Sequence, residues 1–240
     1  MIQLPIGADI NNIIDDLRSF SWEASDILIH YSNLIKTNKN QDNIIQYKDK
    51  NNPVTLADLR VNEKIIERIN QNYSRFGWEI LSEENLNLDS NYINKYSDWL
   101  WVLDPLDGTK DFIQGTGNYA MHLALNYRNR PFLGVVLIPY KNELWFSDGE
   151  KVWCEKRNGL KEEKILIQNK SLNEMTLVTS KNHRNQLLNT LIDKIQFKEK
   201  IVMGSIGCKI ASIIRGESDI YISLCLEGES FPKDWDFAAP

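Results

Sequence analysis

Two carboxylates set three residues apart are the chemical centre of this sequence. In Trp101-Val102-Leu103-Asp104-Pro105-Leu106-Asp107-Gly108-Thr109-Lys110-Asp111-Phe112, an apolar run ends in one acid, a proline follows, and a second acid precedes Gly-Thr. The pattern predicts a buried strand broken at Pro105, with Asp104 and Asp107 pointing into one small volume. Carboxylates that close repel each other unless a cation lies between them, and proteins build oxygen-rich Mg²⁺ sites in this way. Gly108 and Thr109 leave backbone N–H groups near the start of the next segment, which suits phosphate. The same residues also make an ordinary surface turn. Residue chemistry alone leaves the two readings level.

Three other acidic positions call for placement. Thr55 and Asp58 have the spacing of a capping box at a helix start, and the alternative is that Asp58 orients a hydroxyl or a water. Ser82-Glu83-Glu84-Asn85 follows the short apolar run Trp78–Leu81, so a second strand ends in acids. If both strands end at one sheet edge, their carboxylates gather. Asp236 stands beside Trp235 in Lys233-Asp234-Trp235-Asp236-Phe237-Ala238-Ala239-Pro240.

The elements that must position these residues follow from periodicity. Apolar residues recur at helical spacing from about residue 9 to 36, as one long helix or two in tandem. Residues 37–52 are polar and read as a mobile loop, and a second helix is expected from Asn52 to about Gln71. After the central motif, segments at 119–126, 132–138, 143–146 and 151–154 alternate with turn residues and predict an antiparallel meander. His30 and His122 read as packing residues. The Lys/Glu-rich stretch 156–173 is a plausible lobe boundary. Beyond it, strands at 176–179, 199–203 and 219–223 alternate with helices at 184–195 and 207–215, an α/β pattern.

Composition narrows the class. The chain has 240 residues, 42% hydrophobic and 25% charged, with a formal net charge of −5. That describes an ordinary globular protein, and mild acidity argues against a nucleic-acid polymer as partner. No secretion signal opens the chain, no apolar run is long enough for a bilayer, and three cysteines without CxxC spacing point to free thiols in a cytoplasmic protein.

The central motif resembles the first signature of the inositol monophosphatase family of Mg²⁺-dependent, lithium-sensitive phosphatases, and Trp235-Asp236-Phe237-Ala238-Ala239 resembles its second. Pro53-Val54-Thr55-Leu56-Ala57-Asp58 and Ser82-Glu83-Glu84 match two further acidic blocks in the family's order. The resemblance implies a layered αβαβα sugar-phosphatase-like fold of two packed lobes, 1–155 and 156–240, and an α+β or α/β class. It implies two or more Mg²⁺ ions, held by Glu83, Asp104, the carbonyl of Leu106, Asp107 and Asp236. Asp58 would hydrogen-bond Thr109 to prepare the attacking water, and the amides of Gly108 and Thr109 would hold phosphate. Two cations about 4 Å apart suit slow phosphate-ester hydrolysis, one activating water and one receiving the leaving oxygen.

Lys110, Ser180-Lys181-Asn182-His183 and Gly204-Ser205-Ile206-Gly207-Cys208-Lys209 look more like the CysQ-type 3′(2′),5′-bisphosphate nucleotidases than like inositol phosphatases. That branch implies hydrolysis of the 3′-phosphate of adenosine 3′,5′-bisphosphate, in sulfate assimilation or nucleotide salvage. Lys110, His183, Ser205 and Lys209 would then serve the substrate. Lys181 departs from an arginine and loses bidentate phosphate geometry. An inositol or sugar phosphatase is the alternative substrate class, and a metal- or nucleotide-binding protein without turnover is the alternative of another kind. Family members continue past the second signature, so the expectation here is a C-terminal lobe that stops short. A homodimer fits the family habit, and the resemblance implies no membrane partner.

Overall fold

The computed structural model describes residues 4–37, 45–49, 52–85, 97–164, 169–181, 185–226 and 231–240. The first helical pattern forms one continuous helix, α1 (Ile10–Thr37), whose start is capped by Asp9 accepting from the amides of Asn11 and Asn12. The following segment corrects the expectation of a loop. Within it β1 (Ile45–Asp49) pairs antiparallel with β2 (Asn52–Thr55). The second helix, α2 (Leu56–Tyr73), therefore starts after Asn52. Pro53 occupies the strand, and Thr55 ends it by capping the helix.

Among the described residues the main sheet has seven strands in chain order. These are β3 (Glu79–Ser82), β4 (Trp99–Asp107), β5 (Ala120–Tyr127), β6 (Arg130–Ile138), β7 (Glu143–Ser147), β8 (Val152–Glu155) and β9 (Lys161–Lys164). The short helix α3 (Thr109–Gln114) lies between β4 and β5. β3 and β4 are parallel and the rest antiparallel, so the expected meander is present. The sheet also reaches into the stretch read as a lobe boundary, because Lys161–Lys164 pairs with β8. Its Lys-Glu-Glu-Lys sequence hides an edge strand from any hydrophobic pattern, and charge on such an edge discourages pairing with other chains.

Strand alternation sorts the two faces. Trp101 and Leu103 of β4, Leu123 and Leu125 of β5, and Val135 and Leu137 of β6 join the core beneath α1 and α2. The opposite face carries Ala120, Val136, Ile138 and Trp145, which pack against Cys208 and Ala211. Those two residues belong to the second unit: β10 (Thr176–Ser180), α4 (Gln186–Lys194), β11 (Glu199–Met203), α5 (Ile206–Ile214) and β12 (Ile220–Tyr221). Its strands are parallel in the order β11-β10-β12. The chain steps from β10 to β11 and then back across β10 to β12, so right-handed crossovers put α4 and α5 on opposite faces. α4 buries Leu188 and Ile192 with Leu177, while α5 contacts both sheets. One turn, α6 (Asp234–Phe237), packs against β4, β5 and α5. The fold is mixed α/β. Among the described residues no helix is long and apolar enough to cross a membrane.

Candidate active site

The two central acids share a face because the strand is irregular. In a regular strand, residues three apart point to opposite sides. Here Asp104 pairs with His122 and Asp107 with Ala120, so β4 carries one extra residue between them. Such a bulge re-aims the side chain beyond it. The expected strand break at Pro105 is thus a correction: β4 runs through to Asp107, and the proline falls at the bulge. Asp104 is buried and accepts from the Leu106 amide at 3.0 Å. Because β3 and β4 run parallel, both end at one edge. There Glu83 donates its amide to the Leu103 carbonyl at 3.2 Å, and its charge acts on Asp104.

Asp236 completes the cluster. One carboxylate oxygen from each of Asp104, Asp107 and Asp236 lies within 4.8 Å of the others. Burial, then the charges of Glu83, Asp107 and Asp236, push the Asp104 carboxyl well above its usual range. Burial also raises Asp236, although the Lys233 amide bonded to it at 2.6 Å pulls the other way. Hard oxygen donors, over-charged and sheltered from water, fit Mg²⁺ or a similar cation. Asp104, Asp107 and Asp236 could hold it.

Asp58 and Thr109 meet beside this cluster. The capping box forms as expected, Asp58 Oδ2 accepting from the Thr55 amide at 2.8 Å and from its hydroxyl at 2.5 Å. The other oxygen, Oδ1, accepts from Thr109 Oγ1 at 3.4 Å, so the cap leaves one oxygen in contact with a hydroxyl. Thr109 Oγ1 also lies 3.2 Å from the Leu106 carbonyl. Burial raises the Asp58 pKa to about 7, with Thr55 opposing and Glu84 and Glu83 adding to it. Gly108 precedes Thr109 at φ 85°, and a Cβ there would sit 2.9 Å from the Asn118 carbonyl. Glycine is required on both counts. Lys110 is half-buried on the first turn of α3.

The second unit is tied to the site through Asp107. Its Oδ2 accepts from Ser205 Oγ at 2.7 Å and from the amides of Ile206 and Gly207 at 2.5 and 3.2 Å. A carboxylate thus sits on the exposed amides that begin α5. Ser205 is fully buried and also caps Cys208. Lys209 is fully buried as well, its ammonium 2.8 Å from the Gly204 carbonyl and over the Tyr221 ring. Lys181 hydrogen-bonds Gln114 and lies 3.8 Å from Asp111. His183 falls outside the described residues.

His122, read from the sequence as a packing residue, belongs to the site. It is 1% exposed, with Nε2 3.3 Å from Asp107 Oδ2 and Nδ1 3.4 Å from the Trp235 carbonyl. Burial holds its pKa below the usual value against the pull of Asp107. Periodicity could not single it out, because apolar neighbours surround it. Its ladder pairing with Asp104 could, once the strand register was known.

Comparisons with known proteins fit this geometry. The sequence model of the inositol monophosphatase family matches residues 15–240. A 3′(2′),5′-bisphosphate nucleotidase CysQ from Buchnera aphidicola is 30% identical over 180 residues, covering 74% of this chain and 64% of the relative. This chain therefore spans slightly less than two thirds of that relative's length. Among solved structures, an inositol monophosphatase of Thermotoga maritima superposes with TM-score 0.73 at 22% identity, over 95% of this chain and 80% of the other. A CysQ from Bacteroides thetaiotaomicron superposes with TM-score 0.67 at 26% identity, over 90% and 79%.

Proposed function

The chain belongs to the inositol monophosphatase family, and from that premise we propose that it is a Mg²⁺-dependent phosphomonoesterase that hydrolyses the 3′-phosphate of adenosine 3′,5′-bisphosphate. The observation that carries the proposal is the convergence of Asp104, Asp107 and Asp236 beside the Asp58–Thr109 pair. Asp104, Asp107 and Asp236, with Glu83 and the Leu106 carbonyl, would hold the cations. When bound, these neutralise the carboxylates and supply Lewis acidity to water and to the leaving oxygen. The layered α–β–α–β–α order belongs to the same proposal and is supported by the contacts of α5 with both sheets.

The protein's own groups then have definite tasks. The Gly108 and Thr109 amides, at the start of α3, have no intrahelical acceptor and can donate to phosphate oxygens. Asp58 Oδ2 is occupied by Thr55, which leaves Oδ1 to receive the Thr109 hydroxyl proton. Thr109 Oγ1 can therefore accept a proton from the attacking water as its own passes to Asp58. A carboxyl with pKa about 7 is well matched to that exchange near neutral pH.

The choice of a bisphosphate nucleotide is supported by the 30% identity to the Buchnera CysQ. Ser205 and Lys209 are engaged in internal bonds, so they support the second-phosphate role indirectly, by shaping the start of α5. Lys110 and Lys181 are cations with exposed surface near α3. The test is release of inorganic phosphate with Mg²⁺ from adenosine 3′,5′-bisphosphate and from inositol 1-phosphate, with and without Li⁺. Faster turnover of the nucleotide is expected. Faster turnover of the inositol ester would overturn the substrate assignment, and metal binding without release from either would favour a binding protein.

A further inference from the structure

The turn that carries Asp236 has little of its own to hold it. α6 contains four residues, whereas isolated helices below about 12–15 residues are marginal in water. Phe231 before it and Phe237 at its end are 54% and 43% exposed. Docking Asp236 also brings a carboxylate against Asp104 and Asp107, which repulsion and burial oppose. In the metal-free protein a close fit to the sheet would offset this.

Gly134 meets that need. It sits in the ladder of β6, paired with Ala124 and Ser147 two residues past the bulge at Phe132, and is not among the glycines with positive φ. Glycine inside a strand weakens it, unless another backbone must approach closely. That approach is present: a Cβ on Gly134 would lie 2.9 Å from the Ala239 carbonyl oxygen and 3.1 Å from its Cα. Both are main-chain atoms that cannot swing aside. Ala239 joins the cluster of Val136, Ile138 and Cys208, and one strand over His122 Nδ1 faces the Trp235 carbonyl at 3.4 Å.

We propose that Gly134 is a positioning residue: the gap it leaves on β6 receives the Ala239 backbone and so clips the Asp236 turn onto the acidic cluster. Metal affinity then depends on a residue that belongs to none of the candidate ligands. The proposal rests on the metal-site reading above, and its test separates the two. Gly134→Val and the milder Gly134→Ala both introduce better strand residues, so the sheet itself should persist. Mn²⁺ affinity is measured by calorimetry, and amide hydrogen exchange is followed across residues 231–240 and across β5–β6.

The expected result is faster exchange confined to 231–240 and Mn²⁺ binding weakened about tenfold or more in Gly134→Val, with Gly134→Ala shifted in the same direction. Native affinity and native protection of 231–240 in both variants would overturn the clip. If the unsubstituted protein bound no Mn²⁺, the metal reading would fail, while the metal-free exchange comparison would still decide the role of Gly134.

Discussion

Asp107 combines two roles that only a small carboxylate can serve together. It faces Asp104 and Asp236, and its Oδ2 accepts three donors at the start of α5. Asp58 is similarly divided, one oxygen on Thr55 and the other on Thr109. The sequence showed both carboxylates, and the Thr55–Asp58 spacing announced the cap. Spacing alone posed cap and hydroxyl as alternatives, and only the family resemblance implied the Asp58–Thr109 contact, because that contact depends on where Thr109 lies in space. His122 stayed hidden for a like reason. A sharp consequence follows for Asp58, whose carboxyl is raised to about 7 by burial. The ionised form is the proton acceptor and is populated above that pKa, so turnover should climb as pH rises through about 7. Asp58→Asn should cut kcat by about 10²–10³-fold and remove that limb from the pH–rate profile, with Mn²⁺ affinity little changed. A pH profile in which the variant keeps the same limb would assign the titration to another group.

At the scale of elements, the bulge in β4 matters most. Without its extra residue, Asp104 and Asp107 would face opposite sides of the sheet. The register records that residue directly, as Asp104 pairs with His122 and Asp107 with Ala120. Pro105 was visible in the sequence, but a proline signals a break as readily as a bulge. The β1–β2 hairpin and β9 were illegible for a different reason: polar strands carry no alternation to detect. The amphipathic helices and the meander, by contrast, were written in apolar spacing. Gly108 is the joint that turns β4 into α3. Its φ of 85° and the 2.9 Å approach of the Asn118 carbonyl leave no room for a Cβ. Gly108→Ala should cost about 1–3 kcal/mol of stability, read as a lower denaturation midpoint with an unchanged slope in urea. An unchanged midpoint would mean that the joint relaxes freely.

Across the whole molecule, the site draws on elements far apart in the chain: acids from β4, the cap and Thr109 from the helices flanking it, and Asp236 from α6. α5 binds these together, lying between the two sheets with its first amides on Asp107. A formal net charge of −5 does not repel a phosphorylated substrate if cations fill the acidic cluster, because local charge outweighs the global sign. The family resemblance was legible from four short blocks. How they converge was not, since residues from Asp58 to Asp236 meet only in the folded chain. Phosphate release from adenosine 3′,5′-bisphosphate, measured against Mg²⁺ concentration for the unsubstituted protein and Asp107→Asn side by side, tests the metal cage most directly. Asparagine keeps an oxygen for the α5 amides but loses the charge, so the variant should fold and lose turnover, while the unsubstituted protein shows a saturable Mg²⁺ dependence. Release that ignores Mg²⁺, or an Asp107→Asn variant with near-normal rates at the same Mg²⁺, would contradict the metal-cage proposal.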